Sequence, residues 1–225
     1  MRWQGLVSRL SCKPLAILVH GFNVWDGGRA TVGKLRPFLS AENVPYIMIN
    51  YGHVGLLGTR LKNNKIALRV AEAVCTAVDA GHRPVVIGHS NGCAIIHLAM
   101  NIVDFVCPGE VDVVYINPAL KKDARVSAVV NKLTVWHSPS DRPVRWSKWL
   151  LPSSARPWGE MGATGFVGHD ERVTNYNKEL MTPPSKSHSD LFSAELLPFY
   201  GPLVVDGVGF VSSKTTLIEE YKPVS

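Results

Sequence analysis

The residues that most plainly promise chemistry are Gly88-His89-Ser90-Asn91-Gly92, which follow the apolar run Val85–Ile87 and precede a long apolar stretch. This G-x-S-x-G pattern fits a chain that reverses sharply from strand to helix. Such a turn strains the serine backbone and turns its hydroxyl outward, and the two glycines omit side chains that would collide across it. The helix start aims N–H groups and a positive dipole end at the same place, which favours negative charge there. Ser90 is therefore the candidate nucleophile. A serine hydroxyl attacks only when a base takes its proton and a third group orients that base, so an acid and a histidine must come from elsewhere in the chain. A second glycine-containing exit from an apolar run is Leu18-Val19-His20-Gly21-Phe22-Asn23.

These residues need rigid elements to carry them. Five runs rich in branched side chains read as strands: Leu15–Val19, Tyr46–Ile49, Val85–Ile87, Val111–Ile116 and Leu133–Trp136. Most are continuous rather than alternating, which suits strands covered on both faces, as in a parallel sheet. Val111-Asp112-Val113 breaks that pattern and suggests a position nearer an edge. Pro84 sits where a strand start tolerates it. Between the runs, Ile66, Val70, Val74 and Val78 form one helical stripe within Arg60–Ala80, opposed by Lys62, Lys65, Arg69, Glu72 and Asp79, with Gly81 as the stop. Gly92–Val106 is apolar nearly all round (Ile95, Ile96, Leu98, Met100, Ile102, Phe105), which predicts a buried helix. Alternating strands and helices mean an α/β domain with right-handed crossovers. The second half is less regular: residues 138–165 are rich in proline and contain Arg142, Arg145, Trp146 and Trp149, residues 182–188 read as a loop, and Ser189–Pro198 suits a short helix. Beyond Gly201 a hairpin or arm is expected.

With strand, G-x-S-x-G turn and helix in this order, and the His-Gly-Phe exit before them, the chain resembles a small α/β-hydrolase from about Leu15 to about Leu197, followed by a C-terminal extension. The resemblance implies a mostly parallel central sheet flanked by helices, in one domain. It also implies an oxyanion hole built from the backbone N–H groups of Phe22 and Asn91, with His20 ordering the loop rather than taking protons. In this family the catalytic order is serine, acid, histidine. The acid then belongs after the second strand beyond the turn, in His137-Ser138-Pro139-Ser140-Asp141, which points to Asp141, with Asp123 as its competitor. The base must follow it, leaving His169 and His188; His188 lies in a loop directly ahead of an apolar segment, where the family places its histidine. His89 occupies the variable position of the turn, and His97 falls on the buried helix as a packed residue.

Only Asn117–Asn131 separates the fourth run from the fifth, too little for a cap domain, so an open site or one roofed by loops is expected. Tyr51 with the following residues 52–57, and the Trp146/Trp149/Leu150/Leu151 stretch, are candidate substrate walls. The resemblance therefore implies cleavage of a carboxylic ester through an acyl-enzyme; a lipase, thioesterase or acyltransferase would use the same triad, and a non-catalytic interaction protein is the alternative of a different kind. No cofactor or metal is implied, and no His pair has metal-binding helical spacing.

Composition agrees. The chain has 225 residues, 46% hydrophobic and 19% charged, enough for one domain with an ample core and unlike a disordered chain. Its 24 basic and 18 acidic residues leave a net charge of +6, spread too evenly for a nucleic-acid stripe. No apolar run approaches the roughly 18–20 residues of a membrane span, and no signal peptide is recognised, so a soluble, cytoplasmic protein with a small-molecule ester or acyl substrate is expected. Cys12, Cys75, Cys93 and Cys107 lack paired spacing and read as free thiols. The sequence carries no indication of oligomeric state.

Overall fold

The computed structural model describes residues 13–22, 24–53, 56–106, 110–143 and 158–206. Six strands form one sheet: β1 (Pro14–Val19), β2 (Tyr46–Ile49), β3 (Arg83–His89), β4 (Val111–Ile116), β5 (Val130–His137) and β6 (Val173–Asn177). They lie in the order β2-β1-β3-β4-β5-β6 and every neighbouring pair is parallel. The five runs read from sequence are the first five strands.

Alternate side chains explain why the strands look uniformly apolar. In β1, Ile17 and Val19 join one core with α2 (Leu56–Asp79) and α3 (Asn91–Val106), while Ala16 and Leu18 join a second core. That second core contains the 3-10 turn Val32–Leu35, Leu39 of α1 (Arg36–Ala41) and the last helix, Leu197–Asp206. Both faces are covered, so neither can be polar. In α2, Ile66, Val70 and Val74 are buried, and Lys62, Lys65, Arg69, Glu72 and Asp79 are exposed, as the stripe predicts. Gly81, at φ 76°, closes the helix in a conformation glycine accepts without strain.

Four features depart from the sequence reading. β4 lies inside the sheet, not near an edge, because Asp112 is satisfied there: Arg83 Nη1 donates to its Oδ2 at 2.7 Å and Asn131 Nδ2 to its Oδ1 at 2.9 Å. A buried carboxylate so paired is compatible with a central strand. The last turn of α3 is not buried; Phe105 and Val106 are exposed beyond the last buried residue, Val103. β6 was not anticipated, since Val-Thr-Asn-Tyr-Asn is half polar; it is the edge strand of its side, and edges need less apolar cover. Finally, Ser189–Pro198 contains a single turn, Asp190–Phe192, and the regular helix starts at Leu197. With Tyr200, Val204 and Val205 buried, residues 197–206 are part of the core, while the rest of the stretch expected as a hairpin or arm, residues 207–225, lies outside the described residues. Among the described residues between β5 and β6, Met161–Thr164 forms a short helix, labelled α4, and the last described helix is labelled α5 (Leu197–Asp206). No described helix is long and apolar enough to cross a membrane.

Candidate active site

The strand order reverses direction between β1 and β3, and in open α/β sheets ligands bind outside the carboxyl ends of strands at such a switch point. The two glycine-containing exits read from sequence meet there. Gly21, after β1, lies so close to the β3 turn that a Cβ added to it would sit 3.1 Å from Ser90 Cβ.

Ser90 has φ 57°, a left-handed conformation that costs a non-glycine residue energy and is over-determined by its surroundings. Its N–H donates to Ile116 O at 3.0 Å, and its carbonyl accepts from Cys93 N at 3.1 Å and Ala119 N at 3.2 Å. The flanking glycines are steric requirements: a Cβ at Gly92 would stand 2.4 Å from Val19 O and 2.5 Å from His20 O, and one at Gly88 would stand 2.5 Å from Ile96 Cδ1. Asn91 then starts α3. Its buried side chain is fully engaged, accepting from Trp158 Nε1 at 2.8 Å and exchanging hydrogen bonds with Asn63 at 3.0 and 3.2 Å. This fixes the helix start.

The opposite lip, His20-Gly21-Phe22, is held by aromatic packing and hydrogen bonds. His20 is buried and stacks on Tyr51 with ring centroids 3.8 Å apart. Its Nδ1 bonds to Gly21 O at 2.9 Å, and burial pushes its pKa down, so it is a neutral, loop-ordering group. The Tyr51 hydroxyl shares its proton between His20 O at 2.5 Å and Gly21 O at 2.8 Å, and desolvation raises its pKa. Tyr51, expected as a substrate wall, thus spends its polar end on the loop. Phe22 packs against Trp158, centroids 5.7 Å apart.

The acid and the base meet. His188 Nδ1 lies 2.8 Å from Asp141 Oδ2, and Asp141 is completely buried. Asn117, also buried and held at φ 47°, donates from Nδ2 to the same carboxylate oxygen at 2.7 Å. The ring of His188 lies 4.8 Å from that of His89, the residue before Ser90, and His89 Nε2 donates to His188 O at 3.0 Å. His89 Nδ1 has no hydrogen-bond partner among the described residues; burial and the nearby His188 push its pKa well down, so it is neutral. Among the described residues no hydrogen bond joins Ser90 to His188; such catalytic bonds often tighten only in the Michaelis complex. The rival candidates stand apart from this pair: Asp123 is exposed in the β4–β5 connection, and His169 is exposed ahead of the amino end of β6.

Several residues here were invisible to sequence reasoning: Asn63, Asn117, Trp158, Lys178 and Glu179. Each is a polar side chain whose role depends on a partner that the fold, not a regular spacing, brings to it; for Lys178 the partners lie in the loop that follows, for the others 24 or more residues away. Trp146 and Trp149, the other expected walls, lie outside the described residues, as do Cys12 and Cys107. Cys75 and Cys93 are not in disulfides, and Cys93 is buried. Among the described residues, no three His, Cys, Asp or Glu side chains converge on a metal site.

Neither a family model nor a curated protein sequence matches the chain. Solved structures do. An esterase of Pyrococcus furiosus overlies it with a TM-score of 0.56 at 13% identity, over 88% of this chain and 82% of that one. A monoacylglycerol lipase of Paleococcus ferrophilus overlies it with a TM-score of 0.54 at 11% identity, over 88% and 95% of the two chains. Similarity at this level is one of fold. The six-stranded parallel sheet with helices on both faces is the α/β-hydrolase fold, and this chain has it.

Proposed function

We propose that the protein is a serine hydrolase that cleaves a carboxylic ester through an acyl-enzyme, with Ser90 as nucleophile, His188 as base and Asp141 as the orienting acid. The observation that carries this reading is the 2.8 Å contact between His188 Nδ1 and Asp141 Oδ2, together with the bond from His89 Nε2, beside the strained Ser90, to the carbonyl of His188. In the proposed step, Ser90 Oγ adds to the ester carbonyl carbon while its proton passes to His188 Nε2. The negative oxygen is met by the N–H groups of Phe22 and Asn91, each such donor being worth about 2.7–4 kcal/mol of barrier. His188 then protonates the departing alkoxide. Water, deprotonated by the same imidazole, releases the acid and restores Ser90. Asp141 keeps the proton-bearing nitrogen of His188 turned away from the serine and steadies the imidazolium.

An esterase and a monoacylglycerol lipase among the structural neighbours support ester substrates for this chain. Tyr51 supports the site by holding the oxyanion loop, and Trp146 and Trp149 remain our candidates for substrate contact. No cofactor is needed for these steps. The test is labelling with a fluorophosphonate and turnover of p-nitrophenyl acetate. Wild type should be labelled on Ser90 and turn over, and Ser90→Ala should lose turnover by at least about 10,000-fold while keeping the same unfolding midpoint. Labelling of Ser90 absent from folded wild type would sink the enzyme reading and favour a binding role for the fold.

A further inference from the structure

The Lys178 side chain is completely buried, yet no step above uses it. It begins the turn Lys178–Leu180 at the end of β6. Its Nζ donates to Ser185 Oγ at 3.0 Å and to Ser187 O at 3.2 Å, and lies 3.6 Å from Asp190 Oδ1. The two acceptors and the paired carboxylate all belong to the loop that carries His188. Asp190 extends the same network inward: Ser185 Oγ donates to its Oδ1 at 2.6 Å, and the amides of Lys186 and Ser187 donate to its Oδ2 at 2.7 and 2.8 Å. With His89 bonded to His188 O, the backbone is fixed at residues 187 and 188 in succession.

The next residue, Glu179, holds the other loop. Its Oε1 accepts from Ser138 Oγ at 2.6 Å and from Ser140 N at 2.5 Å, in the turn closed by Asp141 N donating to Ser138 O at 2.9 Å. Two consecutive residues at one strand end thus tie down the loops of Asp141 and His188. A buried ammonium is costly unless its three donors find acceptors. An irregular loop, whose polar groups have no ladder partners, supplies acceptors in the arrangement one ammonium can gather.

We propose that Lys178 is a positioning residue for His188: its buried ammonium gathers residues 185–190 into the loop conformation in which the imidazole meets Asp141. The inference rests on the triad reading given above for its consequences in catalysis, although the contact it concerns exists independently of activity. Burial pushes Lys178 down to about 8, against the pull of Asp190, Asp141 and Glu179. The other titratable groups influenced by it are His89 and His137, whose charged forms it disfavours. Above that pH the neutral amine keeps N–H donors for Ser185 and Ser187 but loses the attraction to Asp190, so this one tie of the loop weakens even though the fold as a whole accommodates the uncharged amine better.

Lys178→Met and Ser185→Ala test this by two readouts. The first is the proton NMR resonance of His188 Nδ1–H, identified by its loss in His188→Ala and recorded also in Ser90→Ala. It should be sharp in wild type and broadened or lost in Lys178→Met. The second is p-nitrophenyl acetate turnover: kcat should fall roughly 30- to 100-fold in Lys178→Met with KM nearly unchanged, the cost of a misplaced base. Wild-type kcat should also decline above pH about 8, and the variant should lack that limb. If Lys178→Met does not fold, Ser185→Ala carries the test, with the same resonance broadened and kcat lowered about fivefold. A variant that keeps the sharp resonance, and kcat within about twofold of wild type, overturns the proposal. Should wild type hydrolyse no ester, the functional reading fails, and the resonance alone still decides the role of Lys178.

Discussion

Ser90 and His188, the nucleophile and base proposed above, are held in place by different physical means. Ser90 is placed by backbone sterics: β3 ends, α3 begins, and a Cβ at Gly92 would stand 2.4 Å from Val19 O, while one at Gly88 would stand 3.1 Å from main-chain Cys93 N. His188 sits in a loop without regular structure, and its place depends on side-chain donors and acceptors at Lys178, Ser185, Asp190 and His89. The first arrangement is rigid because any alternative collides with main chain. The second is rigid only while every buried polar group keeps its partner. One half of the site should therefore fail by clash, and the other by titration and loss of hydrogen bonds.

The sharpest way to break the first half is Gly92→Ala. Its methyl meets two main-chain oxygens that cannot move aside, so we expect a loss of more than about 3 kcal/mol in urea unfolding, together with loss of turnover. The second half should respond to pH instead. Lys178 has a folded-state pKa of about 8 against an ordinary 10.5. Between those values the unfolded chain binds more protons, so stability rises with pH across that window, by roughly 3 kcal/mol at most. Urea midpoints of wild type and Lys178→Met across it should show the rise only in wild type, while kcat moves the opposite way. Opposite pH trends in stability and activity would separate a loop held by a buried charge from simple denaturation.

Smaller effects sharpen the contrast. Glu179→Ala removes the acceptor of Ser138 Oγ and Ser140 N, and should lower kcat about tenfold through Asp141 with little change in KM. Tyr51→Phe removes the donor shared by the carbonyls of His20 and Gly21, a loop that the stacked rings and the bond from His20 Nδ1 to Gly21 O still hold. It should cost about 1 kcal/mol, roughly fivefold in kcat. If Tyr51→Phe proved more damaging than Glu179→Ala, the His20–Phe22 side would be the less redundant of the two.

The same contrast explains what was legible in the sequence. The first five strands, helices α2 and α3 and the turn at Ser90 announce themselves in runs of adjacent residues. β6 does not, because an edge strand carrying Thr174, Asn175 and Asn177 lacks the apolar run of its neighbours. Asp112 misled in the opposite direction: its charge suggested an edge, whereas Arg83 and Asn131 make it compatible with the middle of the sheet. Asp141 and His188 were named through the order of residues in the family the chain resembles, not through any local signal.

By itself, the sequence determined the α/β class, the parallel strands and the strained turn that presents Ser90, because those depend on apolar patterning and glycine positions within a few residues of each other. Only the tertiary structure decided that Asp141 and His188, 47 positions apart, stand 2.8 Å from one another. It also decided what Lys178, Glu179, Asn117 and Asn63 hold in place. A buried polar residue has meaning only through its partner, and the partner is chosen by the fold rather than by the neighbouring sequence.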